Sequence, residues 1–223
     1  MKNLMRKEIK LSASSISFIF ILFSVMAMIP GYPILVGAFF VCFGVFQSFQ
    51  NACMNNDILY TVLLPVKKTD AVRAKYGFTI LIQMISFLLT VILTILRMMV
   101  LADAAPYTHN AMMNANQFFL AGNLLVFALF NWLFLGGFFK TAYKCGKPFL
   151  LFAIGSFVLI ALAETLHHIP VLGFLNDTDT MGDGRQWLFL AVALAVYILV
   201  SALSCKASIR ICRDVPFDTR SAH

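Results

Sequence analysis

Few side chains in this sequence have the types and spacing that catalysis or metal binding needs. Glu164, His167 and His168 form one polar cluster. Because Glu164 and His168 are four residues apart, on a helix they would share a face and could hold one metal ion. A stable site needs a third strong ligand, and none follows at a defined spacing. We therefore interpret the cluster as a polar group at the end of a helix.

The second candidate for metal binding is an acidic loop. Asp177, Asp179 and Asp183 are spaced partly like the ligands of a calcium-binding loop. Such a loop needs oxygen ligands at its positions 5 and 12, where this sequence has Met181 and Leu188. We therefore interpret the segment as a solvated acidic turn. The chain also has neither an H-E-x-x-H motif nor a G-x-x-x-x-G-K-[ST] phosphate loop. We expect no catalytic residue, no metal and no cofactor in this chain.

One polar pattern lies inside an apolar segment and is called the polar stripe. Its members are three or four residues apart: Gln83, Ser86, Thr90, Thr94 and Arg97. On a helix they fall within about 80° of one another, and polar groups inside a bilayer avoid lipid. Two interpretations stay open. The stripe either holds neighbouring helices together, at about 0.6–2 kcal/mol per contact, or it lines a transport pathway at a subunit interface.

These residues belong to a chain with the composition of a membrane protein. It is 61% hydrophobic and 12% charged, whereas soluble domains are about one quarter charged. A spanning helix needs about 20 mostly apolar residues. Six segments meet this requirement, near residues 12–29, 32–50, 77–95, 118–139, 149–166 and 187–205. We predict one all-α transmembrane domain, residues 1–223, with six spans.

The placement of basic residues predicts the orientation. With the N-terminus in the cytoplasm, only Arg97 and Arg185 of the 17 lysines and arginines lie on the outer side. Such an asymmetry is typical of cytoplasmic loops, so we expect residues 1–11, 51–76 and 206–223 inside the cell. This placement explains the net charge of +7 without nucleic-acid binding. In this topology each of the five cysteines lies in a helix or near the cytoplasmic face. We therefore expect reduced thiols at Cys42, Cys53, Cys145, Cys205 and Cys212.

The loop at residues 51–76 is the most informative connection. It contains a predicted short helix that Asn56 or Asp57 can cap and that Pro65 ends. One face of this helix is apolar: Ile58, Leu59, Val62 and Leu63. Thr69 or Asp70 would cap the next helix. The apolar face either lies on lipid or under the bundle, or it docks a soluble partner.

Five short motifs follow one another in this part of the chain: Asn56-Asp57, Leu64-Pro65-Val66, Lys67-Lys68, Ala71-Val72 and Lys75-Tyr76. This pattern resembles the permease subunits of ABC-2-type exporters, particularly the small six-span bacterial branch with peptide exporters of the phenol-soluble-modulin type. Asp70 departs from the pattern, which is often basic there. The basic segment Met1–Leu11 resembles the amphipathic N-terminal helix of the family.

The resemblance implies that the loop couples the membrane domain to a separate ATP-binding-cassette ATPase, which binds ATP and Mg²⁺. The implied coupling residues are Asp57, Ile58, Leu59, Val62, Leu63, Leu64, Pro65, Lys67 and Lys68. It also implies a second permease chain, identical or different, a bacterial plasma membrane, and a peptide or other amphipathic substrate moved by alternating access. The alternatives are an intramembrane metal-dependent enzyme and an accessory or immunity membrane protein without transport activity.

Overall fold

The computed structural model describes residues 4, 7, 8, 15–55, 67–101, 104–108, 110, 112–166, 168–178 and 184–214. Within these residues all regular structure is helical. The main helices are α1, Ser15–Ile21, followed by a 3-10 helix, Leu22–Met28; α2, Val36–Met54; α3, Lys68–Val100; α4, Gln117–Lys140; α5, Gly146–Leu166; and α6, Gly184–Asp214. Helices α2 to α6 are long and apolar enough to cross a membrane. The predicted all-helical membrane protein is confirmed.

The first apolar segment differs from the other five. It contains an apolar helix, Phe18–Met28, that is too short to cross a membrane by itself. A 3-10 helix rises about 2.0 Å per residue against 1.5 Å in an α-helix, so the change at Leu22 lengthens the segment. Ile29 is extended and Gly31 has a φ of 72°, which ends the segment before α2. In the part of the chain that the structure describes, there are thus five full-length apolar helices and one shorter apolar helix.

Helix α1 packs closely on α2 at two glycines. A Cβ atom at Gly44 would lie 2.5 Å from the Cβ of Phe20, and one at Gly37 would lie 2.8 Å from the carbonyl oxygen of Phe23. Both distances are shorter than the closest non-bonded contact that a Cβ atom makes, so only glycine fits at these positions. The two glycines therefore let the backbones of these segments approach closely.

Helices α3 and α6 are longer than the predicted spans. Helix α3 has 33 residues and begins at Lys68, so much of the predicted loop is helical, and α6 continues to Asp214. At about 1.5 Å per residue, α3 exceeds the hydrocarbon thickness of about 30 Å. The predicted caps Thr69 and Asp70 are wrong, because extended Lys67 precedes the first turn and makes no side-chain cap bond. Asp70 lies in that turn, where the negative charge of a carboxylate stabilises the helix by its interaction with the helix dipole.

Helix α4 is the most buried span and forms the centre of the bundle, whereas α5 and α6 are the least buried of the five spans. Its middle, Phe130–Leu135, is a π-helix between two α-helical parts. Phenylalanine rings of α2, α4 and α5 pack around it; the Phe46 and Phe149 centroids are 3.9 Å apart.

The helices alternate in direction, so basic residues collect at one end of the bundle. The end of α2 contacts the end of α4 through Phe49 and Phe138, 5.1 Å between centroids. The start of α3 contacts the end of α6, with the Tyr76 hydroxyl 2.9 Å from the Ser208 hydroxyl. This end, here called the basic end, carries Lys67, Lys68, Arg73, Lys75, Lys140, Lys144, Lys147, Lys206, Arg210 and Arg213. Its cytoplasmic location stays a prediction.

Candidate functional site

The polar stripe on α3 faces the interior of the bundle. Gln83, Ser86, Thr90, Thr94 and Arg97 are all buried, none more than 3% exposed. Since polar groups cannot hydrogen-bond to lipid, burial against protein satisfies them at the least cost. The stripe therefore marks the face of α3 that meets the other helices of the same chain.

Four side chains surround the middle of the stripe and are called the amide cluster: Gln83, Asn131, Tyr197 and Ser201. Gln83 Nε2 donates to Asn131 Oδ1 at 3.0 Å, and Asn131 Nδ2 donates to Gln83 Oε1 at 3.1 Å. The Tyr197 hydroxyl donates to Gln83 Oε1 at 2.9 Å, and Asn131 Nδ2 also donates to Ser201 Oγ at 2.9 Å. The cluster joins α3, α4 and α6, and Asn131 lies in the π-helix of α4.

Hydroxyl groups continue this network toward the basic end. Ser204 Oγ donates to the backbone carbonyl of Asn131 at 2.6 Å, which satisfies a carbonyl of the π-helix. Because that proton is used, the Tyr76 hydroxyl donates to Ser204 Oγ at 2.7 Å and accepts from Ser208 Oγ at 2.9 Å. A chain of hydrogen bonds therefore runs from the middle of the membrane domain to its basic end.

The other half of the stripe contacts the 3-10 helix that follows α1. The hydroxyls of Ser86 and Ser24 are 2.8 Å apart, and Thr90 Oγ1 donates to the Ser86 carbonyl at 3.0 Å. Thr94 Oγ1 is buried without a hydrogen-bond partner. On α3 this unsatisfied hydroxyl lies about two turns after Ser86 and one turn before Arg97.

Arg97 lies near the end of α3, away from the basic end, as predicted for an outer interface. Its guanidinium donates to the Ala27 carbonyl at 2.6 Å and to Asn114 Oδ1 at 3.2 Å, and it stacks 4.6 Å from the Tyr107 ring centroid. The Tyr107 hydroxyl donates to the Met28 carbonyl at 2.8 Å. The two side chains thus cap the last carbonyls of the 3-10 helix, where a positive charge also favours the dipole.

Three of the five stripe residues make hydrogen bonds to other segments of the same chain, as the packing interpretation requires: Gln83, Ser86 and Arg97. Thr90 bonds only to a carbonyl of its own helix. A cavity of about 20 Å³ beside Arg97 and Tyr107 has room for about one water molecule and no substrate. The interpretation of the stripe as the wall of a transport pathway at a subunit interface stays a prediction.

Several members of this hydrogen-bond network were missed in the sequence. They all lie on α6 and are spaced four, three and four residues apart: Tyr197, Ser201, Ser204 and Ser208. This is the same helical period that revealed the stripe on α3, so the signal was present. Small serines attract little attention in an apolar helix because each also bonds readily to its own backbone.

At the basic end, a buried ion pair joins the N-terminal segment to α3. Lys75 Nζ lies 3.1 Å from Glu8 Oε2, and the two side chains are 8% and 4% exposed. Lys7 Nζ lies 3.7 Å from the other Glu8 oxygen, and Lys75 also stacks 5.3 Å from the Phe49 ring centroid. Glu8 therefore fixes the predicted amphipathic N-terminal segment against the first turns of α3.

The predicted coupling residues are only partly within the described structure. Lys67 and Lys68 are exposed at the start of α3. The others lie outside the described residues: Asp57, Ile58, Leu59, Val62, Leu63, Leu64 and Pro65. The coupling role of the whole set stays a prediction.

The candidate metal ligands have structural contacts instead. Glu164 Oε2 accepts a hydrogen bond from the Met113 backbone N–H at 3.0 Å, and His168 is exposed. The Asp177 carbonyl accepts from Asn116 and Gln186. His167, Asp179, Met181 and Asp183 lie outside the described residues. Among the residues that the structure describes, no group of three or more His, Cys, Asp or Glu side chains could hold a metal ion.

Comparison with known proteins identifies the family. The family model described as ABC-2 family transporter protein matches residues 3–213, which is nearly the whole chain. No curated protein and no solved structure matches. The match confirms the resemblance seen in the loop at residues 51–76, while the small six-span branch stays a prediction. This all-helical membrane protein therefore belongs to the ABC-2 transporter family.

Proposed function

We propose that this chain is the permease subunit of an ATP-binding-cassette exporter in the bacterial plasma membrane. A separate ATPase subunit binds ATP and Mg²⁺ and drives alternating access in a pair of permease chains. The substrate is a peptide or another amphipathic molecule. The family match over residues 3–213 carries the proposal, and the architecture of α3 supports it.

Helix α3 is suited to transmit a push from the basic end into the membrane. It runs without a break from Lys68, just after the predicted docking helix, to Val100. Sharp kinks in helices arise at a proline, a π-bulge or an inserted side chain, and α3 is an uninterrupted α-helix without a proline. A displacement at Lys68 therefore reaches Gln83 and Arg97 directly.

The contacts of α3 determine what such a displacement would change. Its polar stripe bonds to the segment after α1, to α4 and to α6. We propose that these hydrogen bonds hold the state described here and that parting of the helices turns the same groups toward a water-filled path. The π-helix at Asn131 supports this, since π-bulges often lie at functional positions in helices.

The docking helix can be tested with a double substitution. Leu59→Asp with Leu63→Asp places two charges on its predicted apolar face, so the permease should lose the ATPase on co-purification. We expect a fall of about tenfold or more in bound ATPase, equivalent to about 1.4 kcal/mol. The matched control is Tyr60→Asp with Thr61→Asp, which adds the same charges to the other face of the predicted helix.

Both variants should insert into the membrane in the amount of the unmodified chain, measured by carbonate extraction. Equal ATPase binding by the two variants would contradict the docking assignment. Tight zinc binding by the purified chain, one ion per molecule, would instead favour an intramembrane enzyme.

A further inference from the structure

Two cysteines from distant parts of the chain meet at the basic end and are called the thiol pair. Cys53 lies in the last turn of α2, and Cys145 lies in the turn between α4 and α5. Their sulfur atoms are 3.5 Å apart, although 92 residues separate them in the sequence. Both side chains are partly exposed, so a small reagent can reach them.

The turn that carries Cys145 has an unusual backbone. Ala142 and Tyr143 both have positive φ values, 51° and 69°. Two consecutive non-glycine residues in the left-handed region cost energy, and such strain persists only where the surroundings fix it. The Tyr143 N–H donates to the Phe138 carbonyl at 2.8 Å, and the Tyr143 ring packs 5.4 Å from the Phe138 ring centroid. The turn thus holds Cys145 in one position.

The thiols are also oriented toward each other. Cys53 Sγ donates to the Tyr143 carbonyl at 3.6 Å, so the contact between the sulfurs is a donation from Cys145 to Cys53. This hydrogen bond and burial raise the pKa of Cys145, while the charge of Lys75 lowers it. A thiol with a raised pKa is mostly protonated and reacts slowly.

We propose that Cys53 and Cys145 form a reversible disulfide that locks the end of α2 to the α4–α5 turn. A disulfide needs a sulfur–sulfur distance of about 2.05 Å, so the sulfurs must close by about 1.5 Å. Cys53 is three residues before the predicted docking segment that starts at Asn56. If the proposed function holds, the lock restrains the start of this segment and weakens its coupling to the ATPase.

The oxidant is a low-molecular-weight disulfide such as glutathione disulfide. One cysteine thiolate attacks it, forms a mixed disulfide and releases one small thiolate. The second cysteine thiolate then attacks the protein sulfur of the mixed disulfide and releases the second small thiolate. The two protein thiols lose two electrons and two protons in total, and the small disulfide is reduced to two thiols. An excess of the small thiol reverses both steps.

The test counts free thiols in the purified full-length chain. The protein is equilibrated in glutathione buffers from fully reduced to fully oxidised and is then quenched in acid. The denatured protein is labelled with a maleimide polymer, and the shift of its band on a denaturing gel counts the free thiols. Oxidised wild type should lose two of its five thiols without forming a disulfide-linked dimer on the gel. Peptide mass spectrometry should find Cys53 linked to Cys145. Cys53→Ser and Cys145→Ser should each lose none by this route, and Cys205→Ser, the matched control, should lose two.

Five free thiols in the oxidised wild type would overturn the proposal, as would stable glutathione adducts or a linkage between two chains. A second measurement tests the lock: oxidised wild type should bind less ATPase than reduced wild type, and Cys53→Ser should be insensitive. Unchanged binding by the disulfide form would overturn the lock. Absence of ATPase binding by the reduced protein would contradict the proposed function and leave the thiol chemistry intact.

Discussion

The side-chain amides of Gln83 and Asn131 form a reciprocal pair in the middle of the bundle. Each amide donates one hydrogen bond to the other, at 3.0 and 3.1 Å, and both residues are fully buried. The pair joins α3 to the π-helix of α4, and Tyr197 and Ser201 add α6 to the same junction. Three helices therefore share one set of polar contacts, which rearrange together when any of the helices moves.

Gln83→Leu should destabilise the protein, because it leaves the amide of Asn131 with fewer partners in a buried site. An unsatisfied buried polar group costs about 1–3 kcal/mol. The variant Asn131→Leu should cost a similar amount, and the double variant should cost less than the sum of the two. Unfolding in mixed detergent micelles, followed by circular dichroism, measures these free energies. The control is Gln50→Leu at an exposed position of α2, and equal costs at Gln50 and Gln83 would contradict the junction.

Arg97→Met should weaken the contact between α3 and the segment after α1. It removes the donors that reach the Ala27 carbonyl and Asn114 Oδ1, and hydrogen bonds from charged groups are worth about 1.5–3 kcal/mol. Arg97→Lys should retain part of this energy, since an ammonium can reach one acceptor but cannot match the planar guanidinium. The same unfolding measurement checks the order, with Arg73→Met as the control at a side chain that is 52% exposed. A loss no larger than that of the control would exclude the capping role.

Glu8→Gln should loosen the N-terminal segment from α3, because Lys75 would stay buried without its carboxylate. Breaking a buried pair from one side costs about 3–5 kcal/mol, and the nearby Phe49 ring reduces that penalty. The exchanged variant Glu8→Lys with Lys75→Glu should recover part of the loss. Protease cleavage near the N-terminus reports on the contact. Asp70→Asn, which breaks an exposed pair with Arg73 at 3.6 Å, should have almost no effect. Equal protection in Glu8→Gln and wild type would show that the pair holds nothing in place.

The apolar spans were predictable because their lengths follow from the thickness of a bilayer. The start of α3 was also predictable to within two residues, because a helix cap was expected at Thr69 or Asp70. The extension of α6 to Asp214 was not, since its polar last turns have the hydropathy of a tail. The 3-10 helix after α1 and the π-helix around Asn131 depend on tertiary contacts. The stripe on α3 followed from spacing, but its pairing with Asn131 and the serines of α6 required the packing of three helices.

The proposed function depends on the docking of the ATPase on the loop before Lys68. The polar contacts of α3 do not test that docking. A photo-cross-linking amino acid placed at Leu59 in living cells tests it most directly. We expect a covalent product with an ATP-binding-cassette subunit at Leu59, and none from the same probe at exposed Leu88 on the apolar part of α3. Cross-linking of Leu59 only to lipid, or labelling of this position by an impermeant reagent outside the cell, would contradict the coupling role of the loop.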